Sequence, residues 1–176
     1  MPRCNTGVGL LELLLVMVIA AAVIMWGSAP YQRFLEQQAV DTQLARVAAA
    51  VMRMRSEAIT RNTSVQVCLA NLKNDLDIQG CAKQVIGKNG YAVDEGLLFF
   101  IDKPAGLAGS YNSKEGRDVV LRAAQVELHS SVLQYRIRPS GMLSVAGVHY
   151  KALSSSGICR QLWLGPSGYR RLSVCD

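Results

Sequence analysis

Residues 6–27 read TGVGLLELLLVMVIAAAVIMWG. From Val8 to Trp26 every residue but one is apolar or glycine, about the length a helix needs to cross a bilayer. The exception is Glu12. A carboxylate in the bilayer interior costs on the order of 3 kcal/mol, so its presence needs a reason. Only MPRCNTG stands before the run, with Arg3 and the amino terminus as positive charge. The positive-inside rule keeps that end cytoplasmic and places everything after Trp26 outside.

Three readings compete for this run. A secretory signal peptide finds small residues for its cut site at Gly27-Ser28-Ala29, but Pro30 would follow the cut and Glu12 would sit in the hydrophobic region. A plain membrane anchor leaves Glu12 without a role. A cut between Gly7 and Val8 accounts for it. That cut frees an α-amino group on Val8, four residues before Glu12 and near the same helix face, so the carboxylate gains a cation from its own chain or a neighbouring subunit.

The stretch GVGLLELLLV resembles the type IV prepilin signal, in which a Gly is followed by an apolar stretch with Glu as the fifth residue. Two departures stand out: Val8 takes the place of the usual Phe, and Pro30 comes one place late near the end of the run. The resemblance implies a prepilin peptidase that cuts after Gly7 and methylates Val8. It also implies an inner-membrane subunit with a periplasmic domain, and assembly through Glu12 with other pilin or pseudopilin subunits.

With 176 residues, the chain has enough left after this region for one modest globular domain. Its net charge of +6 suits an acidic partner or simply a solvated basic exterior. Cys4 would leave with the leader, and Cys68, Cys81, Cys159 and Cys175 remain on the side where disulfides persist. There is no C-x-x-C pair, and the only histidines are His129 and His149, so no zinc site, metal or cofactor is expected. Of the three pairings of four cysteines, Cys68–Cys81 and Cys159–Cys175 each close a local loop and are the expected pair.

Beyond Pro30, QRFLEQQAVDTQLARVAAAVMRMRSEAI is rich in helix formers. Leu44, Val47, Ala48, Val51, Met54, Ala58 and Ile59 form an apolar stripe at helical spacing, with Asp41, Gln43, Arg46, Arg53 and Arg55 assigned to the opposite side. Together with the apolar run this predicts one helix of about 50 residues. After Arg61, SVQVCLA, GLLFFID, DVVLR, VLQYRIR, HYKAL, RQLWL and YRRLSVC read as strands between Gly, Pro, Asn and Ser turns. The class is α+β: a long N-terminal helix packed on an antiparallel sheet. The expected boundaries are residues 1–7 for the leader, 8–29 for the membrane half of the helix, 30–61 for its amphipathic half and 62–176 for the β-rich domain.

The second half resembles the GspH/FimT group of minor pilins and pseudopilins. RSEAITRNTSVQVCL resembles its helix end and first strand, RIRPSGML its strand with a Pro-x-Gly turn, and GPSGYRR its closing Gly-Arg stretch. The stretch from Asn71 to Arg117 resembles nothing in particular. The pilin-like fold implied is the one already read from the residues. The implied function is that of a minor pilin in type IV pilus assembly, the alternatives being a type II secretion pseudopilin or a DNA-binding minor pilin of natural transformation.

No catalytic constellation emerges. His129 is followed by Ser130 and Ser131, but both histidines read as ordinary strand residues. GKNG at Gly87 lacks phosphate-loop spacing, Asn74, Asp75 and Asp77 read as a solvated loop rather than a calcium site, and Asn62-Thr63-Ser64 is a sequon of the kind that arises by chance. A nucleic-acid reading draws on Arg160, Arg170 and Arg171 beside Trp163 and Tyr169. Some members of the resembled group bind DNA through a Gly-Arg-x-Arg stretch in this hairpin. Laid on Gly168, Tyr169 replaces the first Arg and Arg171 matches the second. If Cys159 faces Cys175, the register puts Gln161 opposite Ser173 and Trp163 opposite Arg171 on one face, and Leu162 opposite Leu172 and Leu164 opposite Arg170 on the other. A cation–π contact between Trp163 and Arg171 is then expected, and Arg170, Arg171 and Trp163 are the candidate DNA contacts.

Overall fold

The computed structural model describes residues 9–72, 80–82, 86–87, 90–101, 111 and 116–175, with 23–30 and 86–87 described as backbone only. The chain divides into two units, Met1–Leu35 and Glu36–Asp176. Helix α1 covers Leu10–Thr60. In the first unit its described side chains are solvent-facing, Leu10, Leu13 and Ile19 among them. Among the described residues no helix is long and apolar enough to cross a membrane. The expected span, 8–29, takes in Val8 and the side chains of 23–29, which lie outside the described residues.

In the second unit the helix ends on a left-handed residue. Asn62 has φ 50°, the Asn62 N–H donates to the Ile59 carbonyl (3.3 Å), and the Thr63 N–H donates to the Ala58 carbonyl (3.0 Å). This pair of bonds satisfies the last carbonyls of the helix, and asparagine tolerates the left-handed conformation better than most residues.

Eleven strands follow among the described residues: β1 (Val65–Asn71), β2 (Gly80–Cys81), β3 (Ile86–Gly87), β4 (Gly90–Ala92), β5 (Gly96–Ile101), β6 (Arg117–Leu121), β7 (Val126–Ser130), β8 (Gln134–Ile137), β9 (Val148–Ser154), β10 (Cys159–Leu164) and β11 (Arg170–Val174). The protein is α+β, a long helix packed on antiparallel β-structure. The strands form two sheets where one was expected. One runs β2-β1-β5-β6 with β8 also on β1, and the other runs β11-β10-β9-β7-β4-β3. Strand β7, VELHS, had not been read as a strand because its outward residues Glu127 and His129 mask the buried Val126, Leu128 and Ser130. The stretch from Asn71 to Gly90, where no strand had been read, contributes β2, β3 and the first residue of β4, while Asn74, Asp75 and Asp77 lie outside the described residues.

Val40, Leu44, Val47, Ala48, Val51 and Ala58 of α1 are buried in the main core with Leu97 and Phe99 of β5, Tyr150 of β9, and Leu162 and Leu164 of β10. The assignments of Gln43 and Ile59 on the helix need correction. Gln43, placed on the solvent side, is only 1% exposed. Its Nε2 donates to the Leu121 carbonyl and its Oε1 accepts from the Ala123 N–H, both at 3.2 Å. It lies three residues after Val40 and four before Val47, so helical spacing puts it on the packed face, and its polarity is absorbed by the end of β6. Ile59, assigned to the buried stripe, is 51% exposed at the C-terminal end of that face.

Strand β1 is buried along nearly its whole length because both of its faces are covered. Val65, Val67 and Leu69 face the main core, while Cys68 and Ala70 join Leu98 and Phe100 in a second cluster on the opposite face. That cluster is closed by the Cys68–Cys81 disulfide and by Tyr111, edge-on to Phe100 at 5.5 Å. Deep in the main core the Tyr150 hydroxyl donates to the Tyr135 hydroxyl at 3.0 Å. Burial holds both phenols well above the usual tyrosine range, and their proximity raises Tyr150 further.

Candidate functional site

Gly7 and Val8 lie outside the described residues. Glu12 is described, exposed, in the first turn of α1. Its N–H donates to the Gly9 carbonyl (3.0 Å), as does that of Leu13 (3.2 Å), which makes Gly9 the residue that starts the helix. A carboxylate three residues into a helix is favoured by the unpaired N–H groups and the positive end of the dipole, by about 0.3–1 kcal/mol at an exposed site. This local preference explains a glutamate near a helix start, though not one in an apolar run.

The second candidate is the hairpin of β10 and β11. The pairs Gln161–Ser173, Leu162–Leu172, Trp163–Arg171 and Leu164–Arg170 all form, in the register expected from the cysteines. The Cys159–Cys175 bridge closes the open end with a Cα separation of 5.5 Å, ordinary for strand neighbours. At the other end residues 165–169 turn the chain. The Gly168 N–H donates to the Gly165 carbonyl (3.0 Å), and the Gly165 N–H to the Tyr169 carbonyl (2.7 Å).

Gly168 has φ 88°, a left-handed conformation that favours glycine. A Cβ there would also fall on the guanidinium of Arg55, 1.4 Å from its Nη1. Arg55 therefore sits over this turn, and not on the solvent side of the helix where the reading of the sequence had put it. It lies four residues after Val51 and three before Ala58, so its backbone belongs to the packed face. The same side chain lies against a second Pro-Ser-Gly turn, since a Cβ at Gly141 would come within 2.9 Å of its Nε. The two turns are joined directly by the Leu143 N–H, which donates to the Pro166 carbonyl at 3.0 Å.

Strand alternation separates the candidate DNA contacts. Trp163 and Arg171 share the outer face of the sheet, whereas Arg170 lies opposite Leu164, whose side chain is buried in the core. Both arginines are exposed. Arg160 faces inward and lies 3.7 Å from Asp41 of α1. The expected Trp163–Arg171 cation–π contact is replaced by aromatic contacts. Tyr169 meets the indole edge-on at 5.7 Å, and His149, its cross-strand neighbour on β9, lies at 6.4 Å. These rings, with Gln161, Arg171 and Ser173, line a groove of about 460 Å³. The contribution of His149 was not legible, because only the β9–β10 register brings it to Trp163. Among the described residues no three His, Cys, Asp or Glu side chains come together as a metal site would require.

No protein-family model and no curated protein matches the chain. Two crystal structures of the type IV minor pilin FimU from Pseudomonas aeruginosa strain PAO1 are similar to it. One, in space group P21, is 15% identical with a TM-score of 0.47, and the match covers 82% of this chain and 91% of FimU. The other, in space group P65, is 13% identical with a TM-score of 0.45, covering 78% and 91%.

Proposed function

We propose that the chain is a minor pilin of the GspH/FimT kind, a non-enzymatic subunit that takes part in type IV pilus assembly. The observation that carries this reading is Gly7-Val8 followed by Glu12 at the start of an apolar run. Beside it stands a long helix, Leu10–Thr60, whose later part packs on a β-rich domain carrying two disulfides. In this reading the apolar half, residues 8–29, holds the subunit in the inner membrane as a single pass, with residues 62–176 in the periplasm. Prepilin peptidase removes residues 1–7 and methylates Val8. Entry into a filament exchanges lipid for neighbouring helices, and Glu12 pairs with a Val8 amine as it leaves the membrane. A set of type II secretion pseudopilins recovered by crosslinking in the native cell, instead of pilus subunits, would move the protein to that machine. The DNA-uptake variant of this reading rests on Arg171 and Trp163 sharing a face, with Tyr169 where the DNA-binding members carry an arginine.

The deciding experiment is mass spectrometry of the N-terminal peptide from the native host. A mature chain starting at methylated Val8 is expected. A start at Pro30, or an uncut Met1, would overturn the proposal.

A further inference from the structure

The outer face of the six-stranded sheet carries an arrangement to which the proposed function assigns no role. Such faces are ordinarily polar, yet Trp163, Tyr169 and His149 stand here together around the groove of about 460 Å³. The indole has a prepared seat. A Cβ at Gly147 would lie 2.6 Å from its Nε1, and one at Gly165 would lie 3.2 Å from its Cη2. Glycine at both places leaves the ring room to lie along the sheet, and Tyr169 buttresses it edge-on. Beside the indole, the Gln161 Nε2 donates to the Ser173 Oγ at 3.1 Å. That bond leaves the Gln161 carbonyl as an acceptor and the Ser173 hydroxyl as a donor, and Arg171 adds a forked donor at the rim.

We propose that this groove binds an oligosaccharide. A pyranose ring lays its C–H face on Trp163, and its hydroxyl or acetamido groups meet Gln161, Ser173 and Arg171. Charge decides against a nucleic-acid strand. A polyphosphate chain draws its affinity from rows of cations, and this groove is lined by one, Arg171. Arg170 is sent to the opposite face by strand alternation, and Lys151, across from Gln161 on β9, stands outside the lining. A sugar needs what is present: an electron-rich aromatic face with a few neutral, complementary hydrogen-bonding groups beside it. The inference does not depend on the pilin reading, since every group in it belongs to the β-rich unit.

Isothermal titration calorimetry of the full chain in detergent tests it, with the N-acetylglucosamine tetramer as the sugar probe and a short oligothymidylate as the nucleic-acid probe. Saturable binding of the sugar, insensitive to salt, is expected. Trp163→Ala weakens it by about tenfold or more, the loss of one stacked ring. Gly147→Val has the same effect by unseating the indole while every contacting group is retained, and Arg170→Ala leaves binding unchanged. Circular dichroism verifies that each variant is folded. Absence of saturable sugar binding by the wild-type chain, or binding undiminished in Trp163→Ala, overturns the proposal. Salt-sensitive binding of the oligothymidylate alone overturns it in favour of the nucleic-acid reading.

Discussion

Replacing Gln43 by methionine tests whether the helix is fastened to β6 by polar contacts as well as by packing. The substitution keeps the length and most of the volume of the side chain, so cavity formation contributes little. What it removes are the two 3.2 Å hydrogen bonds to the Leu121 carbonyl and the Ala123 N–H. Each bond contributes about 0.5–1.5 kcal/mol net, and each backbone group left without a partner costs about 1–3 kcal/mol where water cannot replace it. Because the ends of both bonds are only partly buried, a total of about 2–4 kcal/mol is expected. For a chain of this size that lowers the melting temperature by roughly 5–15 °C, read by circular dichroism on the full chain in detergent. The control is Gln38→Met, one exposed glutamine on the same helix, which should stay within about 0.5 kcal/mol of wild type. A Gln43→Met melting curve within about 2 °C of wild type would show that the two bonds add nothing beyond what solvent supplies.

The two bridges should differ in weight. Cys159→Ser with Cys175→Ser should cost about 2–4 kcal/mol in denaturant unfolding, the effect of opening one loop at an exposed edge strand, whereas Cys68→Ser with Cys81→Ser should cost more because Cys68 is buried at 2% exposure in the second cluster. Stability should fall as pH rises above about 10: the unfolded chain then ionises tyrosines that Tyr135 and Tyr150 keep protonated in the core, so the native state binds more protons. Equilibrium unfolding between about pH 9 and about pH 11, on either side of the free tyrosine value, should show a shallower decline in the Tyr135→Phe, Tyr150→Phe variant. Glu12→Ala should leave membrane insertion intact, since it removes a charge from the apolar run, yet reduce recovery in sheared filaments; undiminished recovery would remove the assembly role assigned to Glu12.

The helix, most of the strands and the hairpin register were legible because each rests on a local rule. The apolar stripe from Leu44 to Ala58 follows the helical period, and β10 and β11 can align their leucines and cysteines in only one way. Where the reading failed, residue type had been allowed to outweigh spacing. Gln43 and Arg55 both lie at helical intervals from buried valines, and each finds polar partners or glycine surfaces that only the tertiary fold provides. Strand β7 was missed for a similar reason, its outward Glu127 and His129 outweighing the alternation. Its alternation is regular but short, and it becomes recognisable as a strand only between β4 and β9. The groove on the outer face was half legible: Trp163 and Arg171 followed from the hairpin, but His149 needed the pairing with β9, and the seat for the indole needed Gly147, sixteen residues away in the chain.

Arg55 ties these observations together. The turns Pro139-Ser140-Gly141 and Pro166-Ser167-Gly168 repeat the same three residues, and the chain brings them side by side through the Leu143–Pro166 bond. Both end in a glycine with positive φ, 76° at Gly141 and 88° at Gly168. Neither glycine carries a Cβ, so each turn offers flat backbone to the helix, and one arginine side chain can lie across both. The hairpin that bears Trp163 and Tyr169 is therefore held at three points: the disulfide at its open end, β9 along its length and Arg55 at its turn. A five-residue edge strand with mostly exposed side chains would have little else to fix it, since β11 buries too little apolar surface to be held by the hydrophobic effect alone.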